Sequence, residues 1–179
     1  MLKTKYLELV PTLQKELALT SVSAVPKITK VVLNVGVGSR AQQDPKLIEQ
    51  VVAEIGRISG QKPMITKAKK SIAGFKVREG MPVGVTVTLR STKMYDFLDR
   101  LINISIPRIR DFQGLELAGF DGRGNYNLGL REHVVFPEVV FETSEKIFGI
   151  QITVVTTSKD KAGTQLLLQS LGFPFKKDK

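Results

Sequence analysis

Three segments of this chain alternate apolar and polar residues with a period of two. That pattern fits a β-strand with one covered and one wet face. In KITKVVLNVGVG, Val31, Leu33, Val35 and Val37 fall on one side, and Lys30, Val32, Asn34 and Gly36 on the other. In VGVTVTLR, Val83, Val85, Val87 and Leu89 oppose Gly84, Thr86, Thr88 and Arg90. In GIQITVVTT, Ile150, Ile152 and Val154 oppose Gln151, Thr153, Val155 and Thr157. Helical periodicity separates these strands. Residues 3–19 place Tyr6, Leu7, Val10, Leu13 and Leu17 near one face, with Pro11 inside. Asp44-Pro45 reads as a helix start, with the stripe Leu47, Ile48, Val51, Val52 and Ile55 before the stop at Ser59-Gly60. Residues 92–104 and 161–171 predict two more helices, and residues 107–131 read as irregular turns. Regular βα alternation is missing. The expected fold class is therefore α+β, an antiparallel sheet with helices packed on one face.

If all three apolar faces cover one core, the opposite faces make a surface of short hydrogen-bonding side chains. One plain reading is an antiparallel sheet with a solvated side. The sharper reading is a nucleic-acid platform, since such groups can reach the shallow minor groove of RNA while marginal cations hold phosphates. The charge balance favours a polyanion. Lys and Arg number 27 against 17 Asp and Glu, a net charge of +10. The length of 179 residues suits a single domain, residues 1–179. With no cysteine, thiolate metal sites, disulfides and thiol catalysis are excluded. No apolar run reaches spanning length, and MLKTKYLELVPTLQKEL lacks a signal-peptide core, so no membrane partner is expected.

The densest cationic stretch is TKAKKSIAGFKVREGMPVG, residues 66–84. Lys67, Lys69, Lys70, Lys76 and Arg78 surround a single acid, Glu79, and three glycines break the run. It predicts a hairpin arm at about 66–84 whose charge opposes packing. Phe75 is expected to pack at the base of that arm.

Enzyme chemistry finds little support. GVGSRA, residues 36–41, fits a dinucleotide glycine motif, yet the next segment, KPMITKAKK, supplies lysines where an acid should bind the ribose. The motif reads instead as a turn needing positive φ. His133 is the one histidine, so a multi-histidine metal site is impossible, and no G-x-S-x-G elbow exists. It reads as a surface or part-buried structural residue. No metal or cofactor is expected. Two further stretches could meet RNA or protein. PRIRDF places Arg108 and Arg110 on one side of an extended segment, and FDGRGNYNLGLRE offers Arg123 and Tyr126. Each also has a bland reading, as an internal ion pair with Asp111 or as adjacent tight turns.

The motifs VPKITKVVLNVGVG, SGQKPMITKAKKSIAGFKVREGMPVG, VTLR, PRIRDF, FDGRGNYNLGLRE, FPE, ITVVTT and LGFPF stand together, in order, along the whole chain. In this the chain closely resembles the 5S-rRNA-binding family of large-subunit ribosomal proteins, protein five, of bacterial or organellar type. The resemblance implies a curved antiparallel sheet, helices behind it, and an open face gripping 5S rRNA in the central protuberance. By motif, the face residues fall on Asn34, Gln61 and Thr88, with Lys30, Lys62 and Arg90 as marginal cations. The arm corresponds to a loop that reaches peptidyl-site tRNA, carried here by Lys69, Lys70, Ser71, Lys76 and Arg78. Implied partners are 5S rRNA, large-subunit rRNA, peptidyl-site tRNA, other 5S-binding ribosomal proteins and a small-subunit head protein near residues 107–146. The implied location is the cytoplasm, in the large ribosomal subunit, with an organellar ribosome left open. Three positions depart from the family pattern: His133 where Gln is frequent, Thr86 where Lys is frequent, and Gln113 where Arg is frequent.

Overall fold

The computed structural model describes residues 2–38, 44, 46–139 and 146–176. Its strands are β1 (Ile28–Gly36), β2 (Met64–Lys67), β3 (Pro82–Leu89), β4 (Tyr126–Leu130) and β5 (Ile150–Thr156). They form an open antiparallel sheet in the order β2-β3-β1-β5-β4. Among the described residues the α-helices are α1 (Leu2–Glu16), α2 (Lys46–Ser59), α3 (Ser91–Arg100) and α4 (Lys161–Leu171). This is the expected α+β class.

The alternation fixes the strands as anticipated. Val31, Leu33, Val35 and Val37 are buried, while Asn34 and Gly36 between them are exposed. Val85, Val87 and Leu89 are buried and Thr88 is exposed; Ile150, Ile152 and Val154 are buried and Gln151 is exposed. α2 begins as its cap requires, with Asp44 Oδ1 accepting from the Lys46 N–H at 3.0 Å. Pro45, the other half of that start signal, lies outside the described residues. Lys146 also hydrogen-bonds Asp44, and this bond holds the Asp44 carboxyl below its usual range. The helix ends where Gly60 turns left-handed, at φ +61.

Two compact units divide the chain. The first comprises Met1–Val31, Leu89–Leu128 and Thr153–Lys179, the second Val32–Thr88 and Gly129–Ile152. In the first, α1 packs on both α3 and α4, and its core includes Leu13, Phe97, Leu98, Leu101, Leu167 and Leu168. The second buries the stripe of α2, including Val51, Ile55 and Ile58, together with Leu33, Val35, Val85, Phe136 and Ile152. By the usual area coefficient, each such large aliphatic side chain contributes about 1.5–3 kcal/mol.

Several expectations need correction. Leu7, expected on the buried face of α1, is 61% exposed; the helix covers itself through Leu2 and Leu13. The stretch read as irregular to residue 131 contains β4, which is short, carries Gly129 and buries only Tyr126 and Leu130 deeply. So brief a segment leaves no periodic signal. The segment with Arg108 is not extended. Residues Ile106–Arg108 form a 3-10 turn after a π turn at Leu101–Ser105 that prolongs α3.

Glycine 84 shows how closely the second unit is built. A Cβ there would lie 2.6 Å from the Val35 carbonyl oxygen and 3.0 Å from Thr66 Oγ1. Gly84→Ala is therefore expected to cost about 1–3 kcal/mol, read as a lower urea midpoint. An unchanged midpoint would mean that β1 and β3 can separate freely.

Candidate nucleic-acid interface

The wet face of the second unit is assembled from three strands. Cross-strand partners share a face in an antiparallel pair. Met64 pairs with Thr86, and Thr66 with Gly84. With Thr88 on β3, Asn34 and Gly36 on β1, and the Gln61-Lys62 turn leading to β2, they make up this face, on which Met64 stands 68% exposed. Glycine contributes no bulk to it, and Asn34, Gln61, Lys62 and Thr88 are all exposed. Gln61 Nε2 donates to the Thr88 carbonyl at 3.4 Å, so these two expected site residues meet directly. Thr86 differs: its hydroxyl donates to the Leu33 carbonyl at 3.0 Å and is spent inside the sheet. Lys30 and Arg90 belong to the first unit, where Arg90 is exposed and precedes α3. Lys30 is half-buried and occupies an even position on β1, as Asn34 does.

The arm between β2 and β3 has a defined backbone. Ile72 and Val77 exchange N–H···O=C bonds of 2.8 and 3.1 Å. They close a 3-10 turn at Ala73–Phe75, which ends in a left-handed Lys76 at φ 52. Ser71 braces the arm, its Oγ accepting from the Glu79 N–H at 2.9 Å. Its side chains face solvent: Lys69, Lys70, Ser71, Lys76 and Arg78 are all exposed. Among the described residues none of these four cations is in an ion pair. Phe75 is not packed at the arm's base. It is 70% exposed, because the 3-10 turn sets it at the tip. Sequence reading missed this, since nothing local distinguishes a tip aromatic from a buried one.

In the first unit, Arg108 and Arg110 are exposed, with no ion pair to Asp111 among the described residues. Arg123 sits exposed on a turn held from within. Asp121 Oδ1 accepts from the Arg123 and Asn125 N–H groups at 2.9 and 2.8 Å. Partial burial raises the Asp121 carboxyl, but its bonds from Asn125 and Arg123 outweigh that and hold it below its usual range. The Gly124 carbonyl accepts from the Thr156 and Thr164 hydroxyls, both at 2.7 Å. Tyr126 is unavailable to a partner. It is 1% exposed, and its hydroxyl donates to the Glu116 carbonyl at 3.1 Å. Burial, with Glu116 nearby, pushes its phenol up to about 12.

His133 also departs from expectation. It is fully buried, its ring stacked on Phe148 at 3.9 Å between centroids. Nδ1 accepts from the Phe148 N–H at 3.3 Å, and Nε2 lies 2.6 Å from Glu54 Oε2. An imidazole that accepts at Nδ1 is neutral and carries its proton on Nε2, toward the carboxylate. Gln50 Nε2 donates to the other Glu54 oxygen at 2.9 Å. The pair is thus enclosed and structural. A cleft of about 400 Å³ in the same unit is lined by Gly36, Val37, Leu47, Val83, Lys146 and Phe148. Lys146 is the one ionisable group in its lining among the described residues, and its amine is bonded to Asp44.

Two family models match the sequence. One, described as ribosomal protein L5, covers residues 21–78. The other, describing the C-terminus of the same ribosomal family, covers residues 82–175. The chain belongs to the ribosomal protein L5 family. Curated relatives agree over nearly full length, each named large ribosomal subunit protein uL5. That of Desulfatibacillum aliphaticivorans is 52% identical, covering 98% of both chains. That of Acidobacterium capsulatum is 53% identical over 98% of this chain and 96% of the relative. That of Syntrophotalea carbinolica is 54% identical over 95% and 92%. The L5 family is structural and not enzymatic.

Proposed function

We propose that this L5-family chain acts as a single RNA-binding domain of the large ribosomal subunit, anchoring 5S rRNA in the central protuberance. The cytoplasmic ribosome is its setting, as for its bacterial relatives. The observation that carries the reading is the exposed face of Asn34, Gln61 and Thr88, with Lys62 on the same turn as Gln61. Short neutral donors and acceptors suit 2′-hydroxyls and base edges, and cations suit phosphates. Lys30 and Arg90 add phosphate contacts. Large-subunit rRNA and other 5S-binding proteins complete the surroundings.

The basic arm reaches peptidyl-site tRNA through Lys69, Lys70, Ser71, Lys76 and Arg78. Its exposed cations, lacking ion-pair partners among the described residues, support this role. Part of residues 107–146 meets a small-subunit head protein, with Arg108, Arg110 and Arg123 as exposed candidates for that or a further RNA contact.

Anchor and arm separate experimentally. A variant lacking residues 71–79 but keeping the strands is expected to hold 5S rRNA within about twofold of wild-type affinity in a gel shift. Reconstituted ribosomes carrying it are expected to release peptidyl-site tRNA faster, about tenfold if several phosphate contacts are lost. Loss of 5S binding in this variant would make the arm part of the anchor. An unchanged tRNA release rate would reduce the arm to a solvated hairpin.

A further inference from the structure

After α4 the chain doubles back onto the stretch that carries Arg110. The helix stops in a left-handed Gly172, at φ 105. The Gly172 N–H donates to the Gln169 carbonyl at 2.9 Å and the Phe173 N–H to the Leu168 carbonyl at 3.0 Å, a helix end that turns the chain off the axis. Pro174 has no N–H to offer, but its carbonyl accepts from the Leu115 N–H at 2.8 Å. The Lys176 N–H donates to the Leu115 carbonyl at 3.0 Å, so Leu115 and Phe175 form a short parallel bridge. Leu115 and Phe173 are buried, and the Phe175 ring lies 5.4 Å from Phe120 and 5.3 Å from Tyr126 between centroids. The stretch before Leu115 has little else to hold it. The Ile109 N–H donates to the Ile106 carbonyl, and among the described residues the next backbone hydrogen bond along the chain is at Leu115. Between them Asp111 is left-handed at φ 53 and Gly114 at φ 108. A left-handed non-glycine residue persists where its surroundings hold it. On the Leu115 side those surroundings are the tail: a Cβ on Gly114 would lie 2.8 Å from the Lys176 backbone.

We infer that Phe173–Lys176 is a strap, which holds residues 110–114 in one conformation and thereby sets how Arg110 meets the small-subunit head protein. The inference rests on the reading that this stretch touches that protein. Arg110 is exposed, so it is free to reach across. A guanidinium binds a carboxylate through paired, planar hydrogen bonds, which makes its contact sensitive to orientation. A loop already held in its binding conformation has little freedom left to lose on docking. Once freed, it binds only for the fraction of time that it spends in that conformation. Phe175 and the Lys176 N–H are thus positioning groups that need not touch the partner themselves.

The test joins subunit association of reconstituted ribosomes to a 5S rRNA gel shift, with hydrogen exchange at the Leu115 amide of the free protein reporting the strap itself. Phe175→Ala is expected to speed Leu115 exchange and to leave 5S affinity within about twofold of wild type. It should weaken subunit association about fivefold, if the freed loop is competent about a fifth of the time. Lys176→Pro removes one strap hydrogen bond at an exposed residue and should act in the same direction. Lys176→Ala keeps the N–H and should match wild type. Should Phe175→Ala also lower 5S binding, Lys176→Pro decides, because it leaves the ring in place. Arg110→Ala monitors the underlying reading. Added to it, Phe175→Ala should weaken association little further, since the group being positioned is gone. If the strap variants free the Leu115 amide but leave association unchanged, while Arg110→Ala weakens it, the inference is overturned. A full additional loss in the double variant would also overturn it, in favour of a separate contact by the tail. If Arg110→Ala leaves association unchanged, the reading of this stretch fails and takes the inference with it.

Discussion

Replacing His133 with alanine is expected to lower the unfolding free energy by about 3–5 kcal/mol, because it leaves the buried Glu54 carboxylate without its imidazole donor and a buried charge without compensation costs about that much. For a chain of this size that is a fall in Tm on the order of 10 °C. Three losses combine. The Glu54 carboxylate, on a residue 5% exposed, loses the Nε2–H donor. The Phe148 N–H loses its acceptor at Nδ1. The ring that stacks on Phe148 is replaced by a cavity. His133→Gln should be much milder, near 1 kcal/mol, because its amide can still donate to Glu54 while losing the stack.

The same pair gives a pH signature. Burial lowers the His133 pKa below 6.5, against the pull of Glu54, and the Nδ1 acceptor role requires the neutral ring. Above pH 6.5 the residue is neutral in both folded and unfolded chains and imposes no penalty. As pH falls below 6.5, the unfolded chain takes up a proton that the folded chain resists. Stability should therefore drop through that window and level off below the depressed folded value. Denaturant midpoints of wild type and His133→Gln at about pH 7.5 and pH 5.5, on either side of the ordinary histidine value, isolate the effect. The difference between the two proteins should shift against wild type at the lower pH. A shift in the opposite direction would mean a protonated, charge-paired histidine.

Much of this fold is legible from side-chain period alone. Alternation assigns the exposed faces of β1 and β3, and Asn34 and Thr88 lie on them in the structure. α4 spans residues 161–171 as its apolar spacing predicts. What escapes the sequence is set by tertiary partners. His133 is buried because Glu54, far away in sequence, meets it; neither neighbourhood hints at the other. Tyr126 reads as a loop residue available to RNA, but its phenol is held by the Glu116 carbonyl and its ring packs against Phe120 and Phe175. The expectation for Phe75 follows the default that aromatics pack. A hydrogen-bonded tip turn overrides that default, and such a turn is invisible in composition.

The second large effect concerns the proposed binding face. Asn34→Ala and Thr88→Ala should each weaken 5S rRNA binding by about 1 kcal/mol or more, since each leaves a partner on the RNA unpaired. Together they should reduce affinity about 30-fold. Both side chains are exposed, so the variants should remain folded. Neither residue is charged, and this separates their effect from that of the cations. If wild type neutralises about five phosphates, log K should fall with log[salt] at a slope of roughly −3 to −5. The double variant should bind more weakly with that slope unchanged. Lys62→Ala should flatten the slope by about one.

A salt-resolved gel shift therefore bears most directly on the central claim. It compares wild type and Asn34→Ala/Thr88→Ala on 5S rRNA and on an unrelated structured RNA of equal length. The account predicts that wild type prefers 5S rRNA at moderate salt, and that the double variant loses most of that preference while the salt slopes stay parallel. Equal affinity of the wild type for both RNAs would contradict it, and so would an unchanged Kd in the double variant.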